Sequence, residues 1–542
     1  MSAILRRHDV VIMGGGLAGL TLALQLRRRF EDIDVVVLER RTHPVPHAAH
    51  KVGESSVEIG AHYFDTVLGL KPHMHGEQLR KFGFRFFFSE GRRDIDQVTE
   101  IGASRYLSVP SYQIDRGIFE NYLAEEATRN GVQFTDTALV RSIDLADDAR
   151  EPHKLTWTQD GETHIVHARW LIDACGRAGM LKRKLGLAAP NAHACNAVWF
   201  RIGKRITIDD WSDNAEWRAR CEPQARWLST NHLVGAGYWV WLIPLASGSH
   251  SVGIVADPRI HPIAAFDTFD KAMQWFATWQ PRLYDELDDK RHLLQDFAFF
   301  RDFSYGCKQV FSGRRWALTG EAGLFLDPFY SPGSDFIAMS NTYITDLIAH
   351  DRAGRSVEAR AQLYDQIYHS FYESTLALYT DQYPLFGDPE VLPVKVIWDY
   401  TYYWGVLSQI FFQQRLTDLA LLGSLREELQ HCQRLNFAVQ DFLRAWSGVS
   451  EKHNPAVMLD QAALPWFAEL NRSLNDRLDD EAFRVRMRAS AEQLRTLAGE
   501  ILERATGAYP GLDGAALRAV LAERTTVAAA GRTPAPMLFA AG

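Results

Sequence analysis

Three regimes of apolar and polar patterning follow one another along this chain. In the first, short apolar runs alternate with helical spacing. Residues 9–13 (DVVIM) and 33–38 (IDVVVL) read as buried strands, and residues 20–26 between them repeat as a helix. A loop rich in His and Pro (residues 40–51) leads to Ser55, which forms an S-x-x-E capping box with Glu58. The helix expected there runs to about residue 68 and closes at Gly69. After a short helix, residues 79–88 (LRKFGFRFFF) alternate in part like a strand. An amphipathic helix is expected from Arg116, and residues 170–177 (WLIDACGR) read as a strand ending in a turn.

The second regime, residues 196–310, looks like strands and loops, including 250–255 (HSVGIV). The third is helical, with helices expected over 341–350, 356–378, 394–413, 416–447 and 481–506. Residues 452–480 read as connectors, and the Ala-, Pro- and Gly-rich stretch 524–542 reads as a disordered tail. The aromatic stripe around Trp398, Tyr402 and Trp404 is expected to pack in a core, part of it roofing a pocket for an aromatic or polyene substrate. The organisation expected is a module over 1–345 with a sheet layer interleaved at about 70–115 and 190–310. A helical domain, 346–523, caps the substrate side.

Composition narrows the class. The chain has 542 residues, 46% of them apolar and 23% charged, values of an ordinary globular protein. A formal charge of -8 provides no basic field for nucleic acid. No uncharged apolar run reaches the roughly 18 residues of a membrane span, and the apolar start is too short for a signal peptide. Five scattered cysteines without a CxxC pair fit a reducing cytoplasm and argue against a cysteine zinc site. His43, His47 and His50 have no neighbouring cysteine or acid pair, so no metal is expected.

Between the first two strands stands Gly14-Gly15-Gly16-Leu17-Ala18-Gly19, a G-x-G-x-x-G turn opening a helix. Glu39 ends the second strand 20 positions past Gly19 (39 − 19), placed to accept hydrogen bonds from a ribose. Strand, glycine turn, helix, strand and acid in register specify a Rossmann-type dinucleotide site, the helix N-terminus facing the pyrophosphate. Three later stretches resemble the FAD-dependent monooxygenase (glutathione-reductase-like) fold and select FAD. They are Arg116 at its helix start, the Asp-x-x-Gly-Arg turn of Asp173–Arg177, and Gly320-Glu321-Ala322-Gly323, whose carboxylate meets the ribityl chain. There is no second G-x-G-x-x-G for a nicotinamide nucleotide, so reduced flavin is expected from a separate reductase.

Four segments together resemble the flavin-dependent halogenases: Val52-Gly53-Glu54-Ser55, the Lys-x-Gly of Lys81–Gly83, Trp239-Val240-Trp241-Leu242-Ile243-Pro244, and residues 325–333. The third matches the family's W-x-W-x-I-P signature and the last its F-x-x-P-x-x-S-x-G motif. The resemblance covers roughly residues 8–345. It implies that Gly14, Gly16, Leu17, Ala18, Gly19, Glu39, Arg40, Ser55, Arg116, Glu321, Pro328 and Gly333 hold FAD. It also implies that reduced FAD, oxygen and chloride or bromide yield hypohalous acid. That acid passes through a tunnel to Lys81, which offers electrophilic halogen to an electron-rich ring, free or bound to a carrier protein. Trp239 and Trp241, on one strand face, keep substrate away from the flavin.

Three departures qualify the resemblance. Tyr330 stands where tryptophan-directed members carry glutamate, which places the chain nearer the phenol- and pyrrole-directed branch. Glu321 replaces the usual aspartate. Pro332 occupies the turn whose backbone N–H groups hold halide, and proline has no N–H, leaving Ser331, Gly333 and Ser334 to line the halide site. Two other readings remain open: a monooxygenase or dehydrogenase of the same fold that uses no halide, and a flavin-binding accessory protein without turnover.

Overall fold

A computed structural model describes residues 5–47, 53–148, 151–523 and 536–539. The chain forms two compact units. One comprises Met1–Gln78, Ile114–Ala192 and Ser304–Tyr372; the other comprises Leu79–Gln113, His193–Phe303 and Glu373–Gly542.

In the first unit, Leu5–Met13 lies at the centre of a parallel sheet, between Glu162–Asp173 and Val35–Leu38. Trp316–Leu318 and Gln133–Thr135 extend it on either side. The central strand is four residues longer than its apolar run, because Leu5–His8 pairs with Ile165–Ala168 of a long β-meander. The helix Leu17–Arg29 follows the glycine turn with Arg27, Arg28 and Arg29 in its last turn, the favourable end of the helix dipole for cations.

The capping box is a correction. The helix begins at Glu58 with Val57 at the cap position and no side-chain cap. The carbonyl of Glu54 accepts from Ile114 N at 2.7 Å, a long-range bond that takes the segment out of helical reach. The helix then passes into a π-turn at Tyr63–Val67 and stops at Gly69, whose φ of 58° is left-handed.

The second unit holds an eight-stranded, mainly antiparallel sheet. Its order is Leu294–Phe300, Asn196–Ile202, His250–Ala256, Tyr238–Pro244, Thr230–Gly235, Phe84–Phe87, Glu100–Gly102 and Met458–Asp460. Strand period 2 splits its side chains between two faces. Val198, Phe200, Leu233, Tyr238, Val240, Leu242, Val252 and Ile254 point into one core, sealed by the helices Phe269–Trp279 and Pro281–Leu287. Those helices replace the strands and loops expected there. Thr268 caps the first, accepting from Lys271 N, and Ala272, Met273 and Phe276 set a helical stripe.

The opposite face carries Phe84, Phe86, His232, Trp239 and Trp241. Tyr400, on the helix Val391–Tyr402, comes within 6.0 Å of Phe84. Residues 373 onward fall in the same compact unit as this sheet. Trp398 packs in the core as expected, its Nε1 donating to Asn436 Oδ1 at 2.9 Å. The helix expected over 416–447 starts at Leu419, where Asp418 caps it by accepting from Leu421 N, and is interrupted at Leu425 between Leu419–Ser424 and Arg426–Ser447.

Within the stretch read as a disordered tail, 524–535 and 540–542 lie outside the described residues. Residues 536–539, however, are packed. Glu500 accepts from Met537 N and Leu538 N, Trp466 Nε1 donates to Met537 O, and both side chains are buried.

Candidate active site

The glycine loop is shaped for a pyrophosphate. Gly14 has φ 107°, and a Cβ there would lie 2.4 Å from Ala174 O; at Gly19 it would lie 2.0 Å from Gly14 O. These two glycines let strand, turn and helix close on one another. Gly16 faces the other way, with nothing within 4 Å of an added Cβ. The first intrahelical bond runs from Leu20 N to Gly16 O, so the N–H groups of Leu17, Ala18 and Gly19 remain for an anion above the helix. Glu39 is fixed by accepting from Gly15 N at 2.7 Å and Arg41 N at 2.8 Å, each oxygen keeping a lone pair for a ribose hydroxyl. Arg40 beside it is exposed.

The residues expected at the ribityl chain converge on the same helix. Gly320 (φ 59°) brings its turn against Ala18, 3.0 Å from where a Cβ would sit. Thr319 N donates to Asp173 O, and Asn341 Oδ1 accepts from Thr319 Oγ1 at 2.7 Å. The Asn341 amide also donates to Ala18 O, Thr21 Oγ1 and Tyr63 Oη. Asn341 thus ties three distant segments together, a role no motif announces. Asp173 clamps its own turn by accepting from Cys175 N and Leu181 N, and burial raises its carboxyl above the usual range.

Glu321 faces Arg177, with Oε2 and Nε 3.2 Å apart. The guanidinium sits over Tyr305 and Phe325, and Tyr305 Oη donates to Glu321 O at 2.7 Å. Lys182 Nζ donates to Gly323 O at 3.0 Å and lies 3.9 Å from the Tyr305 ring centroid. Burial depresses this amine. Tyr305 and Lys182 therefore join the site without having been foreseen. Arg116 is held by Glu120 at 2.5 Å and by Gly53 O at 3.4 Å, linking the helix start to the segment 53–56 in which Ser55 is buried.

The turn at 328–334 is tight. Ser331 N donates to Pro328 O at 2.9 Å, and Ser331 takes φ 53°, a conformation costly for a residue with a Cβ. Pro332 caps the helix Gly333–Arg352 with φ -73° and ψ -9°. Asp335 N and Phe336 N return to Pro332 O. Among the described residues, the N–H groups of Gly333 and Ser334 have no protein acceptor, and space is open at Gly333. Ser334 Oγ is buried without a hydrogen-bond partner, against Gly60 of the neighbouring helix. Asp335 accepts from Gly60 N at 2.8 Å, holding the two helices together there.

In the second unit, Lys81 is buried, with 3% of its surface exposed, and Nζ stands 3.4 Å from the Phe84 ring centroid. Its backbone N donates to Ser111 O, and Gly83 (φ 76°) turns the chain into the strand Phe84–Phe87. Phe84 lies 5.4 Å from His232, which lies 5.2 Å from Trp239, which lies 5.6 Å from Trp241. Both indoles are fixed by hydrogen bonds: Trp239 to Tyr383 Oη at 2.9 Å and Trp241 to Ser251 Oγ at 3.1 Å. Gly253, opposite Trp241, leaves the room for that ring.

A glycine cradle followed by an acid at the end of the next strand suits a dinucleotide, and comparison with known proteins identifies an FAD-binding family. The family described as "FAD binding domain" matches residues 7–280, half of the chain. The chain belongs to that family. A flavin-dependent halogenase of Dictyostelium discoideum is 24% identical over 435 residues, 74% of this chain and 70% of that protein. A 1H-pyrrole-2-carbonyl-[peptidyl-carrier protein] chlorinase of Pseudomonas fluorescens is 24% identical, over 60% of this chain and 72% of its own. The solved halogenase PltM, in complex with phloroglucinol and FAD, superposes with a TM-score of 0.62 at 16% identity, covering 90% of this chain and 96% of that one. The protein is an FAD-dependent oxidoreductase related to the flavin-dependent halogenases. No helix among the described residues is long and apolar enough to cross a membrane.

Proposed function

We propose that this enzyme halogenates an electron-rich aromatic of the phenol, pyrrole or indole type, free or carrier-bound, and that Lys81 presents the electrophilic halogen. The observation that carries this reading is the placement of the Lys81 amine, buried and 3.4 Å from the centre of an aromatic ring, on a face continued by His232, Trp239 and Trp241. When bound, reduced FAD would supply the two electrons that let oxygen oxidise chloride or bromide to hypohalous acid. The glycine loop, Glu39, Arg116 and Glu321 would hold that cofactor, while Gly333 and Ser334 would offer backbone donors to halide beside Ser331. Halogen held at Lys81 adds to the substrate ring and water leaves, so the step needs no further oxidant. The rigid indole wall keeps the ring where the lysine reaches it.

A separate reductase delivers the reduced flavin, since the sequence carries one dinucleotide loop. The five cysteines, all free thiols, support a cytoplasmic location for this reaction. Pro332 supports the runner-up, a halide-independent monooxygenase or dehydrogenase, because it removes one donor from the turn. The deciding experiment supplies the enzyme with FAD, a flavin reductase, oxygen and a panel of phenols, pyrroles and indoles, with and without bromide. The reading requires product masses shifted by one halogen and dependent on halide. Oxygenated or desaturated products indifferent to halide would establish the runner-up.

A further inference from the structure

The strand face that bears the two tryptophans also bears a histidine. In Thr230–Gly235, Leu233 points into the apolar core, so His232 beside it points the other way. It pairs with Phe86 across the parallel ladder and with Trp241 across the antiparallel one. Its ring stacks on Phe86 at 4.5 Å, meets Phe84 edge-on at 5.4 Å and lies 5.2 Å from Trp239. Phe84 is the ring under the Lys81 amine. One aromatic side chain therefore separates the lysine from the imidazole.

The tautomer is fixed by the backbone. His232 Nδ1 faces Arg85 O at 3.2 Å, and a carbonyl only accepts. Nδ1 therefore carries the proton and Nε2 is the basic nitrogen. The Arg85 guanidinium itself is engaged elsewhere, with Glu100 and with Ala103 O. An imidazole oriented by this backbone bond in an otherwise apolar aromatic wall has the chemistry of a general base.

Resting on the reading of the site given above, we propose that His232 is the catalytic base of aromatic halogenation, taking the proton that the ring must lose. A ring π pair forms the carbon–halogen bond, and the bond that held the halogen breaks with its electron pair staying on the departing atom. The ring C–H bond then breaks, its pair restores aromaticity, and the proton passes to Nε2. Proton and electrons balance without another reagent. The base also favours substrates whose ring is activated by a hydroxyl or N–H, which it can orient by accepting that hydrogen.

The test separates oxidant formation from ring chemistry. Wild type, His232→Gln and His232→Phe, each with FAD, reductase and bromide, are assayed for bromination of the small trap monochlorodimedone and of a phenol accepted by wild type. Phenylalanine keeps the ring stack with Phe86 and so guards against a folding defect. We expect both variants to retain flavin and trap bromination while phenol bromination falls roughly 100-fold, the scale of a lost general base. A phenol deuterated at the reacting carbon should show little isotope effect with wild type and a normal one with the variants, which a merely structural histidine would not produce. Phenol bromination at the wild-type rate in either variant, or loss of both activities together, overturns the assignment. If wild type brominates neither compound, the halogenation reading fails, and the proposal with it.

Discussion

Pro332→Ala is the perturbation whose size the structure sets most clearly. Pro332 sits at φ -73° and ψ -9°, which alanine adopts without strain, and its carbonyl is already anchored by Asp335 N and Phe336 N. The substitution therefore adds one N–H to the turn beside the open N–H of Gly333 and leaves the helix start in place. A charge-assisted hydrogen bond contributes about 1.5–3 kcal/mol. If halide sits in this turn, its half-saturating concentration should fall by roughly 10- to 100-fold. The unfolded chain gains freedom, so stability should drop by about 0.4–1 kcal/mol. The assay is the initial rate of product formation against bromide concentration at saturating flavin and substrate, with thermal melting as control. A bromide dependence unchanged from wild type, in a variant that still binds FAD, would refute the placement of halide at this turn.

Other perturbations test separate parts of the account. Gly253→Ala would set a Cβ 2.2 Å from Trp241 Cζ2, so the indole must move; overpacking of this kind costs about 1–3 kcal/mol. A lowered melting temperature with intact FAD binding is expected, and unchanged melting would mean that the Trp241 ring is not confined there. His250 accepts from Ile206 N, and burial, with Arg205 second, pushes its imidazole from 6.5 down to about 3. The unfolded chain takes up this proton below pH 6.5 while the folded one refuses it until near pH 3. Stability is therefore complete above 6.5 and is lost as pH falls, by about 1.4 kcal/mol per unit from this one group. Denaturant midpoints between pH 6.5 and 4.5 should slope less in His250→Gln; parallel slopes would remove His250 as a source of acid sensitivity.

The parts of the fold legible in the sequence are those in which local pattern and chemistry coincide. Gly14, Gly16, Gly19 and Glu39 announce their geometry by spacing alone, because turn, helix start and strand end lie within one short segment. Trp239 and Trp241 do so through strand period 2. What stayed hidden depends on partners far away in sequence. Ser55 and Glu58 have the letters of a capping box, yet the bond from Ile114 N to Glu54 O outweighs the cap. Asn341 and Tyr305 carry no motif, since their work is to join segments that only the fold brings together. His232 carries no motif either, since only the parallel pairing with Phe84–Phe87 sets it beside the lysine's ring. The helices Phe269–Trp279 and Pro281–Leu287 were missed because their apolar residues also suit strands.

The measurement that reaches the central claim most directly compares wild type with Lys81→Ala, each with reductase, oxygen, bromide and an accepted phenol. Flavin content is read by absorbance and product by mass. The account predicts equal FAD in both proteins, with brominated phenol formed by wild type alone. Brominated product from Lys81→Ala at the wild-type rate would contradict it.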